Sequence, residues 1–161
     1  MRLVIGVDPG KSGALAAIDL DTLALCAIED MPVVDGRVTP ALLADFARRT
    51  GWDEIYGVAV EFVRSSPQMG VTSAFSFGYA YGVAVGFFAA HWPCAEVVPS
   101  VWKPTYHLTG KGKDASRAAA ISLWPSSVAL FKRVKDDGRA EAALIARHHA
   151  LSLRIPQEVN L

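Results

Sequence analysis

Cysteine is nearly missing from this sequence: Cys26 and Cys94 are the only two among 161 residues. Two thiols set in apolar runs cannot make the disulfide framework of a small secreted domain, so a reduced, cytoplasmic chain is expected. A secretory leader is not expected either, because the first apolar run covers only residues 3–7 before Asp8 interrupts it. No cluster of Cys and His offers zinc a site; His148 and His149 are adjacent rather than a helical turn apart. Net charge is absent as well, with 16 Lys and Arg against 16 Asp and Glu, which excludes a histone-like polycation. No repeat, low-complexity tract or linker breaks the chain, and residues 1–161 read as a single domain.

The longest absence is of charge. Residues 65–90 contain no Asp, Glu, Lys or Arg, and Gly78, Gly82 and Gly86 recur every four residues as in packed membrane helices. The first half of this stretch is polar, however (Ser65, Ser66, Pro67, Gln68, Thr72, Ser73, Ser76). Only about a dozen strongly apolar residues remain, too few for a span. A buried helix of a soluble domain is expected here, with no membrane partner.

What is present divides unevenly. Residues 1–62 carry a net charge of −5 and residues 63–161 a net +5, so a neutral chain can still present a strong local field. Residues 2–8, 13–19 and 23–28 are short apolar runs joined by tight turns, which favours three sequential antiparallel strands. Thr39-Pro40 is a helix-opening pair, and a helix is expected to about residue 49. Residues 55–62 read as a buried strand ending in an acid, residues 71–90 as a long helix and residues 95–98 as a short strand. Helices are expected at about 99–106, 114–123 and 138–152. The order predicts an α/β fold, a mixed sheet with helices on its faces.

The stretch G-V-D-P-G-K-S at 6–12 resembles a phosphate-binding loop but is one residue short between its first glycine and G-K-S. It also leads into a strand, where such a loop needs a helix N-terminus. Asp8 is the more telling residue. It closes an apolar strand, as Glu61 closes V-A-V-E, and two adjacent strands would set these carboxylates side by side. Binding a divalent cation is the simplest relief of their repulsion. Asp137 and Glu141 stand four apart and share one helix face, while Asp136, five from Glu141, points elsewhere. Ala140, Ala142, Ala143 and Ala146 keep that helix slim enough to approach the sheet.

G-V-D-P-G-K-S-G-A-L-A, V-E after a strand, S-A-F-S-F-G-Y-A-Y-G-V, V-V-P-S-V-W-K and R-A-E-A-A-L-I-A, in this order over residues 3–149, resemble RuvC-type Holliday junction resolvases. The short phage-encoded branch of that family is the nearest likeness. The resemblance implies a ribonuclease H-like fold, a homodimer, and metal-dependent cleavage of four-way DNA junctions that leaves 5′-phosphate and 3′-hydroxyl ends. It implies that Asp8, Glu61 and Glu141 are catalytic metal ligands. The family's other helical acid falls at Gly138 here, so Asp137 takes its place in the expected set. Such an all-oxygen site suits Mg²⁺ or Mn²⁺. Two ions about 4 Å apart would activate water and stabilise the leaving 3′ oxygen. No nucleotide cofactor is expected.

DNA contacts are expected from residues 103–139, where eight basic side chains face three acids. The candidates are Lys103, Lys111, Lys113, Arg117, Lys135 and Arg139, with the glycine-flexible K-G-K segment suited to following a phosphate backbone. Phe75, among small polar residues, is a candidate to stack on an unpaired base. Trp102 fits either the core or a DNA contact. Two rivals are a sugar kinase of the actin-like fold, which needs a second domain that this length excludes, and a non-catalytic branched-DNA binder, for which four acids beside phosphate would be a burden. A nuclease acting mainly on forks and flaps is a further alternative.

Overall fold

The computed structural model describes residues 1–64 and 68–155. Three antiparallel strands open it: β1 (Leu3–Asp8), β2 (Ala14–Asp19) and β3 (Leu25–Asp30). A small hairpin absent from the expected strands follows, β4 (Val33–Val34) and β5 (Arg37–Val38), although Asp35-Gly36 is a hairpin-turn signal in the sequence. Its tip, Asp35-Gly36, has φ of 49° and 73°, the left-handed pair that a two-residue hairpin turn requires. Helix α1 (Pro40–Thr50) starts on its proline and stops at Gly51, whose φ of 123° a side chain would oppose. Then come β6 (Ile55–Glu61), α2 (Val71–Ala89), β7 (Cys94–Val97) and the short α3 (Pro99–Trp102). Helices α4 (Lys113–Leu123) and α5 (Asp137–Arg154) are the last among the described residues, separated by 3₁₀ turns at Pro125–Phe131 and Val134–Asp136.

The main sheet runs β3-β2-β1-β6-β7, with β6 parallel to β1 and β7 parallel to β6. Helical crossovers make those strands parallel, as the expected mixed sheet required. Strand alternation sorts the core into two layers. Val4, Ala16, Ile18 and Ala59 pack with α5 and Trp102, while Ile5, Val7, Leu15, Val58 and Val60 pack with α1 and α2. On the first face α5 lies against β1 with almost nothing between them. A Cβ on Gly6 would stand 2.1 Å from the Ala142 carbonyl oxygen and 2.4 Å from the Ala146 nitrogen. The alanine-rich helix and this glycine are therefore one device, since any larger side chain would lift α5 off the sheet.

Helix α2 departs from the expectation of a buried helix. Only Ala80, Ala84 and Phe88 are buried, on one stripe. The opposite stripe, with Val71 and Phe75 highly exposed, is open. A Cβ on Gly78, Gly82 or Gly86 would meet nothing within 4 Å, so the glycine ridge packs on no other element among the described residues. A helix apolar on all sides carries no periodic signal for which side is covered, and the sequence pattern could not distinguish them. By length and composition Val71–Ala89 also meets the criterion for crossing a membrane.

Candidate active site

The register of the two central strands builds the site. Val7 pairs with Val60, so Asp8 and Glu61 end two adjacent parallel strands side by side. Each is two residues beyond a position on the α5 face (Gly6, Ala59), and the two-residue period directs both carboxyls toward that helix. The β1–β2 turn folds back over Asp8: Gly13 N–H donates to Gly10 O at 2.8 Å, and a Cβ on Gly13 would stand 2.1 Å from the Asp8 carbonyl oxygen. The turn leads into β2 rather than a helix, which removes the phosphate-loop reading. From the other side α5 presents Asp137 and Glu141 in its first two turns.

The four carboxyls feel one another. Burial, followed by the charges of Glu61 and Glu141, pushes the Asp8 carboxyl up to about 7, against the Gly10 N–H that favours its ionised form; Asp137 adds to the rise. Glu61 is also raised, mainly by burial, although the Trp102 Nε1–H donates to its Oε1 at 2.9 Å. Two lysines offset part of this repulsion. Lys103 Nζ lies 3.4 Å from Glu141 Oε1, and Lys113 Nζ lies 2.5 Å from Asp137 Oδ2. Hydrogen bonding to Asp137 raises the Lys113 pKa in turn. Ser116 Oγ donates to Glu141 Oε1 at 3.1 Å.

An all-oxygen set of clustered, mutually repelling carboxylates with ammonium groups drawn onto it suits a hard divalent cation. In the arrangement described, no three of these side chains close into a ligating group among the described residues. The two lysines sit on the acids where a bound cation would compete with them.

Gly138 and Asp136 are settled by packing. A Cβ on Gly138 would lie 2.7 Å from Ser12 O and 2.9 Å from Gly13 Cα, so the helix start is pressed onto the β1–β2 turn and admits no side chain there. Asp136 is fully buried and turned away from the acids. It accepts hydrogen bonds from Arg133 N at 2.8 Å and from its guanidinium at 2.7–2.9 Å, which hold its carboxyl below the usual range despite burial.

The expected DNA-contacting residues are less uniform than their charge suggested. Lys111 and Lys135 are exposed. Lys103 and Lys113 reach the carboxylates. Arg117 instead braces its own fold, donating from Nη1 to Lys132 O at 3.1 Å and pairing with Asp114. Arg139 pairs with Asp30 at the end of β3 and is mostly covered. Compact folding gives both arginines internal partners, and neither is a free phosphate contact in this arrangement. Phe75 stands exposed on α2. Trp102 belongs to the core at 0% exposure, where it orients Glu61. Sequence reasoning did not single out Ser116, whose only signal was its place on the α4 face turned toward α5.

Fold and sheet order give a RuvC-like architecture. Solved structures share it at the level of fold. Thermus thermophilus RuvC in complex with a Holliday junction substrate matches with a TM-score of 0.69 and 19% identity, over 96% of this chain and 97% of that one. A second T. thermophilus RuvC structure gives 0.66 and 21%, over 95% and 96%. The fowlpox virus Holliday junction resolvase in complex with its junction DNA gives 0.56 and 18%, over 95% and 99%. No protein-family model and no curated protein matches the sequence.

Proposed function

We propose that the protein is a divalent-metal-dependent, structure-selective DNA endonuclease that resolves four-way junctions as a homodimer, in recombination or phage DNA processing in the cytoplasm. The observation that carries this reading is the convergence of Asp8, Glu61, Asp137 and Glu141 from two strands and a helix, rimmed by Lys103 and Lys113, on a fold shared with junction resolvases. Mg²⁺ or Mn²⁺ held by these four acids would supply charge neutralisation and a more acidic water for in-line phosphodiester hydrolysis. Trp102 and Ser116 fix the orientation of Glu61 and Glu141. Lys103 and Lys113, released from their carboxylates, would steady the scissile phosphate. The uncovered glycine ridge of α2 is where a second copy would sit, since small residues let two helix backbones approach closely. A two-fold would then place two active sites on opposed strands.

Labelled four-way junction, fork and flap DNA incubated with and without Mg²⁺ tests the reading. Paired symmetric nicks in the junction that require metal, and that Asp8→Asn, Glu61→Gln or Glu141→Gln abolish while binding persists, are the expected outcome. Binding without nicks would make the protein a junction binder, and faster cutting of forks or flaps would reassign its substrate.

A further inference from the structure

The basic side chains near the acids are mostly held by internal partners, but two cations from the acidic N-terminal part of the chain are not. Lys11, in the β1–β2 turn, and Arg37, on β5, are exposed and form no ion pair among the described residues. They line one cleft of about 410 Å³ between the β4–β5 hairpin and the first half of α2, together with Phe75 and Tyr79. Phe75 is 77% exposed and Tyr79 41%, and the Arg37 guanidinium lies over the Tyr79 ring at 6.0 Å from its centroid. A second cleft of about 480 Å³ continues from the first, sharing Lys11, Thr72 and Ser76, and reaches Gly10, two residues beyond Asp8.

We infer that these joined clefts form a single-strand channel that leads unpaired DNA away from the carboxylate site. Lys11 and Arg37 contact its phosphates, and Phe75 and Tyr79 stack on its bases. The inference rests on the nuclease reading for its direction, since the second cleft reaches Gly10, two residues beyond the proposed catalytic Asp8. The occupant follows from the chemistry of the walls. Cations with exposed aromatic faces in one groove suit a polyanion whose every unit carries a flat ring, and base–aromatic stacking tolerates any sequence. Asp35 at the hairpin tip is the one acid in the wall, and two cations outweigh it. The hairpin thereby acquires a purpose: its tight left-handed turn brings Arg37 back across α2, where a longer loop would leave it in solvent.

The test uses the full-length protein in EDTA, so that nothing is cut, with two fluorescein-labelled probes: a short oligothymidylate and an immobile four-way junction. Lys11→Ala combined with Arg37→Ala should reduce the steepness of log K against log salt for oligothymidylate by about 1.4, two phosphate contacts on a single strand. Tyr79→Leu should weaken oligothymidylate binding about 5- to 100-fold, and Tyr79→Phe should restore it, because the ring and not the hydroxyl stacks. Sedimentation of each variant checks that folding and assembly are unchanged. Absent oligothymidylate binding by the wild type, or wild-type affinity and salt slope in the variants, overturns the channel even if junctions are cut. Conversely, loss of oligothymidylate binding in these variants of a protein that cuts no junction leaves the channel standing and removes the resolvase reading.

Discussion

Replacing Asp8 by Asn should make the metal-free protein more stable at neutral and alkaline pH. The folded structure raises the Asp8 carboxyl from its usual 3.8 to about 7, chiefly through burial and then through Glu61 and Glu141. Ionising it in the folded state therefore costs about 4 kcal/mol more than in the unfolded chain. The sign follows from linkage. Below pH 3.8 both states hold the proton and nothing is lost. As pH rises toward 7 the unfolded chain releases its proton first, and the folded state falls behind until it ionises as well. Above pH 7 the full penalty is in place. Asp8 keeps some contact with solvent, so the effect expected in practice is about 2–4 kcal/mol. Asparagine is nearly isosteric and never ionises. Urea unfolding in EDTA at pH 4, 6 and 8 should show wild type and Asp8→Asn close together at pH 4 and separated by this amount at pH 8, with the variant the more stable. In thermal unfolding the same gap corresponds to roughly 5–15 °C for a chain of this size. A constant difference across the three pH values, or a less stable variant at pH 8, would refute the upward shift of the Asp8 carboxyl.

Gly138→Asp places an acid at the position where the resemblance to RuvC-type resolvases implies one, yet its Cβ would collide with the β1–β2 turn. It should cost about 1–3 kcal/mol by urea unfolding and fail to raise nicking activity. Asp136→Asn should cost about 1.5–3 kcal/mol through its weakened bonds to Arg133, while nicking by the folded fraction stays near normal. Asp137→Asn should do the opposite, with unchanged or improved stability and a large loss of nicking that high Mn²⁺ partly recovers. Trp102→Phe removes the hydrogen bond that favours ionised Glu61, so the apparent Mn²⁺ affinity measured by calorimetry should fall and the loss should shrink as pH rises. Equal Mn²⁺ affinity in both proteins would make Trp102 a packing residue alone. Lys135→Ala should reduce the steepness of the salt dependence of junction binding by about 0.9, whereas Arg139→Ala, whose charge is already paired with Asp30, should leave it nearly unchanged.

Much of the fold was legible in the residues because it rests on local periodicity. Short apolar runs in residues 2–8 and 55–62 marked the central strands and ended each on an acid. Spacing of four on an alanine-rich helix set Asp137 on the face of Glu141, and the glycine at position 138 stood out as a departure. Those signals depend on neighbours in sequence, so a one-dimensional reading reaches them. What the sequence left open depends on residues distant along the chain. Trp102 could be core or DNA contact until Glu61, 41 positions away, was found accepting its indole proton. Arg117 and Arg139 counted as free charge until Lys132 and Asp30 came within reach. Helix α2 looked buried because an apolar composition does not say which side another element covers. Lys11 and Arg37 lay in the acidic part of the chain, and only the hairpin's return across α2 sets them beside the same aromatic rings. Local patterns determined which elements form and where their acids lie. The packing of those elements decided which charges are neutralised, which surfaces stay open and which side chains meet.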